Sequence, residues 1–105
     1  MTATTNIKEI NGDNFNLTKE KAAIIVFTAN WCNSCHNMID MLSSTSDIPV
    51  PVYNCDVDQN EQLADDVHIT NLPVVAIIHN GKIVDKMNGM QNISNIMESI
   101  NSYIY

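Results

Sequence analysis

Arginine is absent from this 105-residue sequence, whose five basic residues are all lysines set against twelve acidic residues. The resulting net charge of −7 argues against the broad basic surface with which proteins bind nucleic acid or anionic membranes. No apolar run approaches the roughly 20 residues of a membrane-spanning helix. The first residues also lack the basic and then apolar pattern of a signal peptide. We therefore expect a cytoplasmic protein that has neither nucleic acid nor a membrane as its partner.

Cysteine is scarce as well. Three cysteines are too few, and an odd number, for a disulfide-stabilised scaffold. With 45% hydrophobic residues the chain can bury one core, but it is too short for two. Because no repeat, linker or low-complexity tract interrupts it, we expect a single domain over residues 1–105.

The spacing of apolar residues predicts the order β, α, β, α, β, α, β, β, α. The run from Ala22 to Thr28 is apolar on both alternating faces, as expected of a central, parallel strand that is covered on both sides. Asn80-Gly81 predicts a tight hairpin, and Asn92 is predicted to cap the last helix. The order indicates an α/β fold with a mixed sheet, parallel βαβ units first and an antiparallel hairpin last. The other predicted segments are an edge strand at 7–10, a short helix from about Asp13 with Phe15 inward, a helix over 32–42, strands over 50–57, 74–78 and 82–84, a short helix after the capping box Asp58-Gln59-Asn60-Glu61, and a helix over 93–104.

The central strand leads into Trp31-Cys32-Asn33-Ser34-Cys35-His36, where the helical spacing begins. This position puts Cys32 at or beside the helix N-cap, where unpaired backbone N–H groups and the positive end of the helix dipole favour a thiolate. Cys35 lies one turn deeper on the same face and can reach back to Cys32. A Cys-x-x-Cys sequence beside a βαβ pattern predicts a redox-active cysteine pair.

Two other sites share part of this pattern. Cys32-x-x-Cys35-His36 is also the attachment sequence of c-type haem, in which His36 and a methionine would be the axial ligands. The βαβ pattern around the motif favours the redox pair instead. A structural zinc site needs four ligands, and the sequence has no second Cys/His pair at suitable spacing. We therefore expect neither a metal nor a cofactor.

Several neighbouring residues have structural interpretations. Cys55 is expected to be a buried thiol at a strand end rather than a third redox partner. Trp31, directly before the helix, is expected to be partly exposed and to cover the sulfurs. His36 is expected to be exposed in the first helical turn. Asp56 and Asp58 are predicted to form a turn and a cap rather than to bind metal.

With these motifs in place, the chain resembles the thioredoxin family over nearly its whole length. That resemblance implies the thioredoxin fold, a central mixed sheet flanked by helices on both faces. The matching features are Trp31-Cys32-x-x-Cys35 after the central strand, Asp56-x-Asp58, Ile69-x-x-Leu72-Pro73, Asn80-Gly81-Lys82 in the hairpin, and Gly89 before the last helix.

The resemblance implies a protein-disulfide reductase. Cys32 would attack a substrate disulfide as a thiolate, and Cys35 would resolve the mixed disulfide. The implied partners are protein disulfides and a reductant resembling thioredoxin reductase, and the implied oligomeric state is a monomer.

The resemblance also implies a substrate groove. A cis peptide bond between Leu72 and Pro73 would lie against the disulfide, and the backbone before the proline would pair with an extended substrate segment. Gly89 and Met90 would form the other wall of an apolar groove beside Trp31.

The residues between the cysteines depart from the family pattern. Asn33 and Ser34 stand where glycine and proline are common. Their donors can hydrogen-bond the Cys32 thiolate, which would stabilise the reduced form and make the pair more oxidising. A protonated His36 would favour the thiolate further.

A second departure concerns the resolving thiol. Val26 and Asn54 stand where the family has a buried aspartate and a lysine, and that acid is thought to help the resolving thiol lose its proton. The hypothesis for this chain is that Cys35 relies on water or on the departing thiol. This departure keeps open the alternative of a binding or redox-sensing module with weak or no turnover, and Asn33 and Ser34 keep open that of a more oxidising disulfide oxidase or isomerase.

Overall fold

The central strand of the fold is β2 (Ala22–Thr28), in which six of seven residues are buried. The structure is a computed structural model, and it describes residues 5–12 and 15–105. β2 pairs in parallel with β3 (Val52–Asp56) and antiparallel with β4 (Val74–His79). The predicted central strand is therefore confirmed, although it is parallel to its neighbour on one side only.

The five strands form one mixed sheet in the order β1-β3-β2-β4-β5, with β1 (Ile7–Glu9) and β5 (Lys82–Asn88) at its edges. β4 and β5 are antiparallel and are joined by the predicted hairpin. Asn80 and Gly81 both have positive φ, 53° and 78°, as a type I′ turn requires. The parallel half and the antiparallel half of the sheet thus follow the predicted order.

Helices cover both faces of the sheet. On one face, α1 (Asn33–Ser43) and α3 (Ile93–Tyr103) pack their apolar stripes against the sheet. On the other face lie α2 (Glu61–Asp66) and a 3₁₀ helix (Leu17–Lys19). The first core includes Ile24, Val26, Met38, Leu42, Ile96 and Ile100, and the second includes Ala23, Ile25, Phe27, Cys55, Ala76 and Ile78.

Both long helices have side-chain caps that satisfy a backbone N–H group of the first turn. The predicted cap of α3 is confirmed, because the Asn92 side chain accepts a hydrogen bond from the Asn95 N–H group at 2.8 Å. In α1 the capping residue is Cys32 itself. No helix within the described ranges is long and apolar enough to cross a membrane.

The predicted capping box at the start of α2 is wrong. The N-cap is Asn60, and its side chain makes no cap hydrogen bond. The Asp56 carboxylate accepts a bond from the Asp58 N–H group and forms a turn, so the helix begins only at Glu61. The amide of Asn60 instead donates to the backbone oxygens of Ile10 and Asp56, which ties the start of α2 to the end of β1 and β3.

The region before β2 differs in part from its prediction. Asp13, where a short helix was predicted to begin, lies outside the described residues, as do residues 1–4, on which the prediction about a signal peptide rests. The chain forms the 3₁₀ helix instead. Phe15 is half-buried, as predicted, with its ring edge-on to Tyr53 at 5.0 Å. β3 begins at Val52, later than predicted, because Pro51 has no N–H group to donate to a neighbouring strand.

Candidate active site

Cys32 and Cys35 lie where β2 passes into α1. Cys32 is the N-cap of α1 in extended backbone geometry, and its sulfur accepts the Cys35 N–H group at 3.2 Å. A sulfur in this position faces the positive end of the helix dipole as well as that donor, and both favour its negative form. The prediction that Cys32 lies at the helix N-cap is confirmed.

The two cysteines form a disulfide, with 5.3 Å between their Cα atoms. Cys35 is 1% exposed, whereas Cys32 is 8% exposed and lines a surface groove. Of the two cysteines, Cys32 is the one that borders this groove.

Ser34 contributes a further polar contact to the exposed sulfur. Its Oγ lies 3.4 Å from the Cys32 Sγ. A disulfide sulfur carries no hydrogen, so the Ser34 hydroxyl must be the donor. Asn33 is exposed. His36 is also exposed, as predicted, and its Nε2 lies 2.9 Å from the Asn30 carbonyl oxygen, so this nitrogen carries a hydrogen and donates it.

The groove beside Cys32 has a volume of about 420 Å³ and is apolar along much of its length. Trp31 forms one part of its rim and is 71% exposed. Its indole N–H group donates to a carboxylate oxygen of Asp58 at 3.0 Å, which holds an exposed aromatic ring in one orientation. Among the described residues, the groove is lined by Trp31, Cys32, Val57, Ile69, Thr70, Asn71 and Leu72.

Asp58 is a residue whose role at the site the sequence interpretation missed. Its position directly after β3, two residues beyond Asp56, was available as a signal, because the ends of β2 and β3 meet at the same edge of the sheet. The turn at Asp56 is confirmed, but the cap at Asp58 is not, since its carboxylate binds Trp31 instead.

The peptide bond between Leu72 and Pro73 is cis, as the resemblance implies. The Pro73 carbonyl oxygen accepts the Gly89 N–H group at 2.8 Å, which brings the end of β5 beside the proline. Met90 follows and is 50% exposed. Neither Gly89 nor Met90 belongs to the lining of the groove described above.

A second cavity, of about 240 Å³, lies on the other side of the cysteine pair and reaches Cys35. A chain of hydrogen bonds crosses it. The Thr28 hydroxyl donates to the Asn54 side-chain oxygen at 2.5 Å, and the Asn54 amide donates to both carboxylate oxygens of Glu9, at 3.0 and 2.9 Å. Val26, by contrast, is fully buried in the apolar core.

Cys55 is the remaining cysteine, and it is fully buried and unbridged. Burial, together with the smaller effect of the negative charges of Asp56 and Glu9, raises the pKa of its thiol from 9.0 to about 12. The prediction of a buried thiol is confirmed. Within residues 5–12 and 15–105, no group of three or more His, Cys, Asp or Glu side chains could hold a metal ion.

Comparisons with known proteins agree on one family. The family model described as Thioredoxin matches residues 6–102. The thioredoxin of Chlorobaculum thiosulfatiphilum is 30% identical over 91 residues, 84% of each chain. Protein disulfide-isomerase A5 of Mus musculus is also 30% identical over 91 residues, 78% of this chain but only 18% of that longer protein. The crystal structure of the Malassezia sympodialis thioredoxin Mala s 13 has a TM-score of 0.82 at 25% identity, covering 98% of this chain and 95% of that one.

Proposed function

Because the chain belongs to the thioredoxin family, we propose that it reduces protein disulfides through Cys32 as the nucleophile and Cys35 as the resolving thiol. The family and the cysteine pair make it a thiol–disulfide oxidoreductase, whose partners are disulfide substrates and a reductase. The observation that carries the assignment of roles is the unequal burial of the two sulfurs. Cys32 borders the groove, and Cys35 is enclosed behind it.

The reaction begins from the reduced pair. The Cys32 thiolate, supported by the Cys35 N–H group and the helix dipole, attacks one sulfur of the substrate disulfide. A bond forms between Cys32 and that sulfur, and the other substrate sulfur leaves with the electron pair. Cys35 then loses its proton and attacks Cys32. The substrate leaves as a dithiol, and the Cys32–Cys35 disulfide remains.

We propose that the substrate lies in the groove beside Trp31. Leu72 lines this groove, and its backbone would pair with an extended segment next to Pro73. Gly89 and Met90 are proposed as the far wall, supported by the bond from the Gly89 N–H group to Pro73 and by the exposure of Met90. An apolar groove with backbone pairing suits many sequences, as expected of an enzyme with several protein substrates.

We further propose that the protein is a cytoplasmic monomer in which residues 1–105 form a single domain. The net charge of −7 supports the absence of nucleic acid and anionic membrane from its partners. The same charge favours partners with a basic surface, because complementary charge accelerates association.

A second candidate, a more oxidising oxidase or isomerase, is favoured by one observation, the contact of Ser34 with the Cys32 sulfur. A donor to the thiolate from Ser34 stabilises the reduced form and raises the reduction potential. Equilibration with glutathione or dithiothreitol separates the two candidates. A potential near −270 mV, roughly that of thioredoxin, supports the reductase, and one near −180 mV or higher supports the second candidate.

Trapping tests the roles of the two cysteines. A Cys35→Ser variant should accumulate a mixed disulfide with a protein substrate such as insulin, because nothing resolves it. A Cys32→Ser variant should not, since Cys35 is enclosed. Equal trapping by both variants, or failure of the wild-type chain to form an intramolecular disulfide, would contradict the proposed mechanism.

A further inference from the structure

The cavity behind Cys35 holds a carboxylate that the reaction above does not yet use. Glu9, at the end of β1, lines this cavity together with Cys35. It is connected to Thr28, at the end of β2, through the Asn54 side chain of the strand that lies between them. Three neighbouring strands therefore contribute one polar chain, which lines the cavity that reaches Cys35.

The direction of these hydrogen bonds follows from the charge of Glu9. An ionised carboxylate can only accept, so Asn54 must turn its NH₂ group towards Glu9 and its oxygen towards Thr28. The Thr28 hydroxyl then has to donate its single hydrogen to Asn54. Its oxygen keeps lone pairs with which it can accept a bond. Ionised Glu9 thus makes the buried end of the chain an acceptor of hydrogen bonds.

In the resolving step Cys35 needs a group that accepts its proton. A thiol in an apolar environment holds its proton, because burial penalises the thiolate. The central-strand residue Val26 offers no polar atom, and its side chain belongs to the apolar core. The cavity, by contrast, is polar, and at about 240 Å³ it has room for several water molecules at roughly 30 Å³ each.

From this arrangement we propose that Glu9 is the proton acceptor for Cys35, acting through water in the cavity, while its bonds to Asn54, which in turn binds Thr28, hold the carboxylate in place. The inference rests on the proposed function of the cysteine pair. In the mixed disulfide the Cys35 thiol transfers its proton to Glu9, and the Cys35 thiolate attacks Cys32. The Cys32–Cys35 bond forms, the bond from Cys32 to the substrate breaks, and the substrate sulfur leaves with the electron pair. Glu9 then returns the proton to solvent or to the departing thiolate.

The other titratable groups at the cavity are less suited to this role. His36 and Asp40 line it from α1 and are exposed, as Glu9 is, but among the described residues neither side chain hydrogen-bonds to Asn54 or Thr28. The Nε2 of His36 is already bound to the Asn30 carbonyl. Cys55 of β3 does not line the cavity and packs in the core on the other face of the sheet. Glu9 is connected by hydrogen bonds to Thr28, which is 5% exposed and lines the same cavity as Cys35.

The test follows the two steps separately. Reduced protein is mixed with 5,5′-dithiobis(2-nitrobenzoate) in a stopped-flow instrument, and the coloured thiol is monitored. Attack by Cys32 releases the first thiol at a rate that rises with reagent concentration. Resolution by Cys35 releases the second at a rate independent of it. Glu9→Gln keeps an oxygen that can accept from Asn54, so the fold and the first phase should be unchanged.

We expect Glu9→Gln to slow the second phase by about tenfold near neutral pH, less than the roughly hundredfold or more typical of a general base in direct contact, because the transfer passes through water. The part of the pH profile of that phase that follows the carboxylate should disappear. Asp40→Asn, in the same cavity, and Glu98→Gln, an exposed carboxylate on α3, change the charge equally and should leave both phases within about twofold.

Three results would overturn the proposal. They are a second phase in Glu9→Gln within twofold of wild type, equal slowing of both phases, and slowing by Asp40→Asn rather than by Glu9→Gln. Failure of the proposed function would be distinguishable, because the wild-type protein would then release no second thiol at all.

Discussion

The hydroxyl of Ser34 should set part of the reduction potential, and removing it should make the pair more reducing. In the disulfide, the hydroxyl donates to a neutral sulfur acceptor. In the reduced protein it would donate to a thiolate. A hydrogen bond to a charged group is worth about 2 kcal/mol and one to a neutral group about 1 kcal/mol, so the reduced form gains about 1 kcal/mol more.

This difference converts directly into a potential. For a two-electron couple, 30 mV corresponds to about 1.4 kcal/mol, so Ser34→Ala should lower the potential by about 20 mV. The sign is negative because the variant loses more stabilisation in the reduced form than in the oxidised form. Ser34 is half-buried, which preserves most of the bond strength against competition from water.

Equilibration with glutathione buffers measures the effect, with the fluorescence of the neighbouring Trp31 reporting the oxidised fraction. Asn33→Ala is the matched control, because Asn33 is exposed in the same helical turn and should shift the potential by less than about 10 mV. An unchanged or raised potential in Ser34→Ala, or equal shifts in both variants, would show that the Ser34 contact does not distinguish the two redox states.

Three further predictions concern the rest of the chain. The free energy of unfolding should fall as pH rises from about 9 to about 12, because the unfolded state loses the Cys55 proton first, and Cys55→Ala should remove this difference in denaturant titrations across that range. Asp58→Ala should lower kcat/KM for protein disulfides two- to fivefold by releasing the Trp31 ring, whereas Asp58→Asn, which can still accept, should not; equal losses would contradict the idea. Gly81→Ala should destabilise the fold, in thermal unfolding, by more than the roughly 1 kcal/mol expected of Gly89→Ala. Both glycines have positive φ, but an added Cβ at Gly81 would also lie 2.6 Å from a backbone oxygen.

Features that depend on a few neighbouring residues could be predicted from the sequence. Cys32 as a helix N-cap, Asn92 as a side-chain cap and the Asn80-Gly81 turn each depend on conformations that the local residue types favour. The central strand could also be predicted, because a strand covered on both faces appears in the sequence as a nearly continuous apolar run. Six of its seven residues are buried. The pair of cysteines at the beginning of α1 was therefore predictable in position and in chemistry.

Local reasoning failed where a side chain had two possible partners. Asp58 is of a residue type that often caps helices, and Glu61 follows it at the three-residue spacing of a capping box. In the fold, however, Asp58 lies across from Trp31, which is 27 positions away in sequence and has an indole N–H group to satisfy. Asn60 in turn bonds to Ile10, 50 positions away. The competition between a local cap and a distant donor is decided by strand register, which short-range patterns do not contain.

The same limit applies to the resolving step, and there it changes the mechanism. Val26 stands at the position where the family has a buried acid near Cys35, and this position alone would indicate a weakened enzyme. The parallel pairing of β1 with β3 places Glu9 beside Asn54, and the pairing of β2 with β3 places Val26 on the other side of Asn54. A carboxylate from the edge strand β1 therefore lines the cavity that reaches Cys35. Asn54 connects the two neighbouring strands, because it donates to Glu9 and accepts from Thr28, whereas a lysine in its place could not accept. On the proposal above, Val26 and Asn54 thus belong to one arrangement, in which the proton of the resolving thiol reaches Glu9 through water in the cavity.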